Sequence, residues 1–401
     1  MNIKKIFPIL ALSVFSSTLG IGIVSPLLPL YVRDMGANGV WVGIIFAMYA
    51  ISNSIVTPIA GRISDRRGRK VFLTSGLIAY AVISFGYIWA NTLEFLAVVR
   101  FVQGAAGAIT IPIAMAYVGD LSPEGEEGKW MGFANVAFFS GFGFGPLMGG
   151  LLTDHLGMNS TFYSMAGLNL LAGAISLVFL PEVTRRKTQE TDEKRSSIKD
   201  LSSSRIVRGL FAYRLADSLG RGGIGAFLPI FGSMLGLSTS LIGVVLTANM
   251  ITANLVMPVG GLLADKFDRR RLTIIGSCVA ALVLATVTMA GSFGQLLAVM
   301  LIQPIGMAVA MPAASALIVE EGRKFGMGST MSTFFVAMGV GMAIGPIISG
   351  EIADSFSISW VFYFGAIMGL VGTLLLALMT RRYRVAPAPL EADSAQIENH
   401  V

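Results

Sequence analysis

The stretch GRISDRRGRK at residues 61–70 returns 200 positions later as GLLADKFDRR at residues 261–270. Each copy is a short basic segment that contains an aspartate and stands between two long apolar runs. Identical pairs at the same offset include Pro29 and Pro229, Gln103 and Gln303, Asp154 and Asp354, and Phe162-Tyr163 and Phe362-Tyr363. An offset that holds along most of a chain indicates an internal duplication. The sequence therefore predicts two copies of one structural unit.

The composition places both units in a membrane. Of 401 residues, 54% are hydrophobic and only 13% are charged, which leaves too little polar surface for soluble domains. Apolar runs long enough to cross about 30 Å of hydrocarbon, roughly 20 helical residues each, recur about twelve times. The first run, Ile6–Tyr31, follows Lys4 and Lys5 and superficially resembles a signal peptide, but it is too long for one. We expect it to be the first spanning helix.

The basic residues predict the orientation. If the connections alternate between the two sides of the membrane, 25 of the 29 Lys and Arg residues fall on the side of the N-terminus. Basic connections stay in the cytoplasm, so both termini are predicted to be cytoplasmic, in a multi-pass protein of the plasma (inner) membrane. The net charge of +6 is then an orientation signal and not a nucleic-acid-binding surface. With one cysteine and two histidines, a disulfide and a Cys/His metal site are both excluded.

Four segments follow from this pattern. Residues 1–182 form a first six-helix bundle, 183–206 a cytoplasmic linker, 207–382 a second six-helix bundle and 383–401 a disordered cytoplasmic tail. Because six is even, both bundles insert in the same orientation, as parallel repeats related by an axis along the membrane normal. A transported molecule is expected in the crevice between the bundles.

The repeated basic loop resembles the loop after helix two of the major facilitator superfamily, G-x-x-x-D-R-x-G-R-[RK]. The matching residues are Gly61, Asp65, Arg66, Gly68 and Arg69. The second copy keeps Asp265 and Arg269 but has Lys266 and Asp268 where the pattern has arginine and glycine. The resemblance implies that the first copy latches the outward-facing state through Asp65 and Arg69. The alternative is a basic membrane anchor that happens to contain an acid.

Two further motifs carry the resemblance. Leu19-Gly20-x5-Pro26-x2-Pro29 is similar to a signature of the twelve-helix drug:proton antiporter branch, and Gly141 to Gly150 resemble the glycine-proline element called the antiporter motif. Such glycines permit close helix packing, and a proline removes one backbone hydrogen bond. A generic helix bend would explain the second motif equally well. The residues predicted to pack or bend helices are Pro26, Pro29, Gly141, Gly145, Pro146, Gly150, Gly345 and Pro346.

Helix four contains Arg100 and Gln103 in an R-x-x-Q-G pattern, whose arginine is associated with proton-coupled members of the superfamily. A charge inside a membrane span usually faces a polar cavity or a partner. The alternative is an arginine that extends to the nearer membrane surface. The position 200 residues later is Met300, so the role of Arg100 is not repeated.

Helix seven carries Arg214, Asp217 and Arg221 on one face, at spacings of three and four residues. Asp217 is placed near the middle of the span, where it could bind and release protons. We predict proton coupling by Asp217 and Arg100; the alternative is that Asp217 forms a structural ion pair. The residues predicted to line the substrate cavity are Arg214, Arg221, Gln103, Gln303 and Asn249.

The sequence therefore predicts an all-α membrane protein with twelve transmembrane helices in two parallel six-helix repeats. Its predicted function is proton-coupled efflux of small amphipathic or drug-like compounds by alternating access. A carrier of organic anions or lipids is the alternative, and a receptor or scaffold without transport activity is a third possibility. No catalytic constellation falls within the spans, so the chain is not expected to be an enzyme. Its expected partners are a small-molecule substrate, protons and membrane lipids; we expect a monomer with no cofactor besides the proton gradient.

Overall fold

The computed structural model describes residues 3–123, 125–182, 201 and 203–381. These residues form twelve α-helices and no strand. The first six helices are α1 (Ile3–Asp34), α2 (Gly39–Arg67), α3 (Arg69–Ile88), α4 (Leu93–Leu121), α5 (Glu127–Leu156) and α6 (Met158–Phe179). The second six are α7 (Arg205–Met234), α8 (Thr239–Lys266), α9 (Arg269–Ala285), α10 (Phe293–Phe325), α11 (Met327–Ser355) and α12 (Ile358–Met379), with a short 3-10 turn at Thr286–Met289 after α9.

Among the described residues, eleven helices are long and apolar enough to cross a membrane. The helix that falls short, α7, is 30 residues long but carries Arg214, Asp217 and Arg221 in its interior. The prediction of an all-α membrane protein with two repeated six-helix units is confirmed. The predicted linker lies outside the described residues except for 201 and 203–206, and the predicted tail, 383–401, lies wholly outside them.

Polar caps fix where several helices begin. The side chains of Asn38, Ser204 and Ser238 each accept a hydrogen bond from a backbone N–H three residues later, at the starts of α2, α7 and α8. This satisfies a donor that has no partner within the helix. Between α2 and α3, Gly68 has a φ of 97°, a value that favours glycine because it has no Cβ. These caps and turns set the helix boundaries.

Glycines allow helices to cross closely within each half. A Cβ atom on Gly145 of α5 would lie 2.5 Å from the Cα of Gly22 in α1. At the equivalent crossing in the second half, Gly345 of α11 packs directly on the backbone of Leu219 in α7. Larger residues could not occupy these positions without moving the helices apart. Of the glycines predicted to pack helices, Gly141 and Gly145 lie at the first crossing and Gly345 at its equivalent, whereas Gly150 packs on the start of α8 in the other half.

The two halves meet at one end of the bundle, where α1 ends and α2 begins. We call this end the closed face and the opposite end, where α1 begins, the terminal face. At the closed face, α2 crosses α11, with Gly43 against the carbonyl of Pro346. At the same face, α5 crosses α8, with Gly243 against the carbonyl of Pro146. The contacts reach inward on one side to Ser54 and Gly339.

Two aspartates reinforce these crossings. The carboxylate of Asp354 in α11 accepts hydrogen bonds from the backbone N–H groups of Gly39 (2.6 Å) and Val40 (3.0 Å) at the start of α2. Asp154 in α5 accepts one from the backbone of Ser240 (2.8 Å) and one from the hydroxyl of Thr239 at the start of α8. Each aspartate therefore caps a helix of the other half, where the helix dipole favours a negative charge.

Candidate functional site: a cavity between the halves and two buried charge sets

A cavity of about 690 Å³ lies between the halves on the terminal-face side of their contacts. It is bordered by α5, α8 and α10, and its lining residues are Gly132, Asn135, Val136, Phe139, Ser140, Gly143, Phe144, Ile251, Asn254, Leu255, Met257, Pro258, Met311, Pro312 and Ser315. Its volume falls in the range of about 300–1,000 Å³ that is typical of small-molecule sites. The lining is mostly apolar, with two amides and two hydroxyls.

The charged set on α7 lies next to this cavity. Nη1 of Arg214 is 3.4 Å from Oδ2 of Asp217, and Nη1 of Arg221 is 4.0 Å from the same oxygen. The Arg214 guanidinium also contacts the sulfur atoms of Met311 and Met338 and lies 5.2 Å from the ring centroid of Phe334. Since Met311 lines the cavity, Arg214 lies directly behind the cavity wall.

Asp217 faces the interior of the second half instead. Its residue exposure is 6%, whereas the Arg221 side chain is 45% exposed. A small cavity of about 20 Å³ beside Asp217 is also lined by Tyr213, Ser277 and Gln303, among others. The set of two arginines and one aspartate therefore has its negative charge turned away from the larger cavity.

The first half contains a second buried polar network, around Arg100. Nη1 of Arg100 donates a 2.8 Å hydrogen bond to Oε1 of Gln103, and its guanidinium lies 4.8 Å from the ring centroid of Tyr49. Gln103 also donates to the hydroxyl of Tyr80 (2.9 Å) and accepts from that of Tyr87. The structure places the Arg100 side chain inside the first half, at 5% exposure.

Comparison with known proteins identifies the family. The sequence profile of the Major Facilitator Superfamily matches residues 10–217 and 210–399. The chain belongs to this superfamily. It is 27% identical over 383 residues to an uncharacterized MFS-type transporter of Methanocaldococcus jannaschii, covering 94% of this chain and 99% of the relative. It is 28% identical over 396 residues to Multidrug resistance protein 1 of Bacillus subtilis, covering 96% of this chain and 98% of the relative.

Solved structures agree on the fold. A bacterial homolog of the human lysosomal transporter Spinster, in an inward-facing and unoccupied conformation, superposes with a TM-score of 0.82. At 14% identity, with 96% of this chain and 99% of the other covered, the likeness shows the architecture alone. The major facilitator assignment makes this chain an integral multi-pass membrane transporter of small molecules, and a carrier rather than an enzyme.

In this transporter the two repeated basic loops form ion pairs within their own halves. Arg69 pairs with Asp65 (2.9 Å) and with Asp120 at the end of α4. In the second copy, Arg269 pairs with Glu320 of α10 at 3.5 Å, the position equivalent to Asp120. These pairs join neighbouring helices at the terminal face, and the latch role of Asp65 and Arg69 stays a prediction.

The departure at residue 268 has a structural reason. Gly68 joins α2 to α3 without a side-chain cap, whereas Asp268 accepts a 3.0 Å hydrogen bond from the backbone N–H of Arg271 and so caps α9. Asp265 and Lys266 form the last turn of α8. The second loop therefore joins its two helices with a side-chain cap, whereas the first loop joins them with a glycine.

None of the five residues predicted to line the substrate cavity is among those that line the 690 Å³ cavity. Gln103 is fully buried in the Arg100 network, and Gln303 lies beside Asp217. Asn249 donates to the backbone of Met300 at 2.9 Å. These polar side chains find partners inside their own halves, because an unpaired amide is costly away from water.

Sequence reasoning missed most of the residues that do line the cavity. Asn254 was recognisable as a polar residue within an apolar run, and Asn135 carries the same signal on α5. The apolar lining residues, such as Phe139 and Met311, have no such signal because lipid-facing and core residues are also apolar. The side of each helix that faces the cavity became evident only from the packing of the two halves.

Proposed function

We propose that this transporter exports small amphipathic or drug-like compounds by alternating access, in exchange for protons. The observation that carries the proposal is the mostly apolar cavity of about 690 Å³ between two halves that meet at the opposite face. Rocking the halves would break the glycine-lined crossings at the closed face and bring the halves together at the terminal face. A bound molecule would then be exposed to the other side.

The predicted orientation supports export as the direction of transport. With both termini in the cytoplasm, the terminal face would be the cytoplasmic face, and the cavity on that side would be able to take up compounds as an exporter in the plasma (inner) membrane requires. The cavity lies within one chain, which supports a monomeric transporter surrounded by bilayer lipids. The similarity to a multidrug resistance protein along 96% of the chain supports drug-like substrates.

Asp217 is the proposed proton-coupling residue. A proton on its carboxylate would neutralise the negative charge that lies between Arg214 and Arg221. Helix α7, which carries all three residues, packs on α11, and α11 crosses α2 at the closed face. A change of charge at Asp217 therefore has a short physical route to the contact that holds the halves together.

The test is transport into proteoliposomes driven by an imposed pH gradient. For Asp217→Asn we expect loss of gradient-driven accumulation of an uncharged dansyl amide, while its equilibrium binding remains within about threefold. Asp34→Asn, which removes an exposed carboxylate at the end of α1, is the matched control and should accumulate the probe normally. Full accumulation by Asp217→Asn would refute the coupling role.

A further inference from the structure

Among the described residues, none of those that line the cavity between the halves carries a charge. Its polar groups are the amides of Asn135 and Asn254 and the hydroxyls of Ser140 and Ser315. All its other lining residues are apolar, glycine or proline. An ion that leaves water must find a partner of opposite charge or lose several kcal/mol of hydration free energy, on the order of the cost of burying an unpaired charge. The surface of this cavity provides no such partner.

A cation in the cavity would also lie close to a positive charge, that of Arg214. Arg214 contacts the sulfur of Met311 at 3.2 Å, and Met311 lines the cavity. The only described carboxylate within 4.0 Å of Arg214 or Arg221 is that of Asp217, which is 6% exposed and faces the interior of the second half. Of Arg214, Asp217 and Arg221, the residue whose charged group is in contact with a lining residue of this cavity is Arg214, and its positive charge repels cations.

An anion is not accommodated at the cavity surface either. The Arg214 side chain is 11% exposed and is enclosed by Met311, Met338, Phe334 and Asp217. An anionic group would have to displace the Met311 side chain to reach it. The hydrogen-bonding groups that do line the cavity suit an uncharged molecule, because amides and hydroxyls can donate and accept without a charged partner.

We propose that the cavity selects uncharged amphiphiles, with an apolar body against Phe139 and Phe144 and a hydrogen-bonding group at Asn135 and Asn254, and excludes lipophilic cations. This inference rests on the proposed export function, in which the cavity binds the exported compound. Its test, however, is equilibrium binding without any gradient. Failure of proton coupling would leave the binding result unchanged, so the two failures are distinguishable.

Three dansyl sulfonamides that share the same aromatic group and alkyl chain, and end in a methyl, a carboxylate or a trimethylammonium group, isolate the effect of charge. Fluorescence titrations of purified transporter in zwitterionic nanodiscs at pH 7 give the three dissociation constants. We expect the methyl compound to bind at least tenfold more tightly than either charged compound. A cationic or anionic compound that binds as tightly as the uncharged one overturns the proposal.

A gain-of-function variant separates cavity chemistry from folding defects. Asn254→Asp places a carboxylate on the cavity surface and should improve binding of the trimethylammonium compound at least tenfold, whereas a misfolded protein cannot gain affinity. Asn159→Asp adds the same charge at an exposed position near the start of α6 and should leave all three constants unchanged. Equal cation binding by both variants would show that the 690 Å³ cavity is not the binding site.

Discussion

Replacing Asp354 by asparagine should favour opening of the closed face. Asp354 belongs to α11, but both of its carboxylate oxygens accept hydrogen bonds from the first turn of α2, in the other half. These bonds exist only while the halves are together at this face. They therefore stabilise one conformation of the transporter relative to the other, and their loss should change the equilibrium between conformations more than the folding of either half.

The magnitude follows from the two bonds. A hydrogen bond to a charged group contributes about 1.5–3 kcal/mol, but Asp354 is exposed and an asparagine oxygen still accepts one bond, so we expect a loss of about 1 kcal/mol. This corresponds to a change of roughly fivefold in the equilibrium between the closed and open forms of this face. Asp154 acts at the separate crossing of α5 and α8, so the double variant should lose about 2 kcal/mol, or roughly 30-fold.

Spin-label distances between the halves measure this equilibrium. Labels at Leu156 and Met234, both exposed at the closed-face ends of α5 and α7, can be introduced into a Cys278→Ala background. Asp354→Asn should increase the population with the longer distance. The control is Glu351→Gln, one turn earlier on α11, whose carboxylate bonds within its own helix. Identical distance distributions for the two variants would refute the reasoning.

Two further predictions concern stability, measured by thermal unfolding in detergent. Gly145→Ala should destabilise the protein by about 1–3 kcal/mol because its new Cβ overlaps α1. Its control is Gly167→Ala, where nothing lies within 4 Å of the added atom and the change should be neutral or stabilising. Equal effects of the two substitutions would contradict the packing argument. Arg69→Gln should cost about 3 kcal/mol because the 6% exposed guanidinium pairs with two carboxylates, whereas Arg271→Gln, at 79% exposure, should cost under about 1 kcal/mol. A smaller loss for Arg69→Gln than for Arg271→Gln would refute the role of Arg69.

The sequence was sufficient for the architecture because membrane insertion leaves few alternatives. Backbone groups in lipid must bond within a helix or a closed barrel, so about twelve long apolar runs predict about twelve helices. Helix α7 is the exception among the described helices: it is one of the apolar runs in the sequence, but with Arg214, Asp217 and Arg221 in its interior it is not among the eleven helices that are apolar enough to cross a membrane. Its equivalent in the first half, α1, is plainly apolar.

The site was less accessible to sequence reasoning. The repeat pairs Asp154 with Asp354, and both aspartates cap a helix of the other half. The local sequence does not distinguish this role from that of an aspartate that is merely exposed at the end of its own helix. Likewise, the sequence predicts that Gln103 lines a polar cavity, but its side chain forms hydrogen bonds with Tyr80 and Tyr87 of α3 within the first half. Both assignments depend on contacts between residues far apart in the chain.

The 200-residue offset separates two kinds of residues in this transporter. The features that join helices recur in both halves: the two capping aspartates, the two ion pairs at the terminal face and the glycines at both crossings. The charges buried in the interior of α4 and α7 do not recur, since Arg100 corresponds to Met300, and Asp217 to Ser17. Rocking of one half against the other uses contacts on both sides of the pseudo-symmetry axis, whereas proton and substrate binding need only one site. The asymmetric residues are therefore the stronger candidates for chemistry, and the symmetric ones for the conformational change.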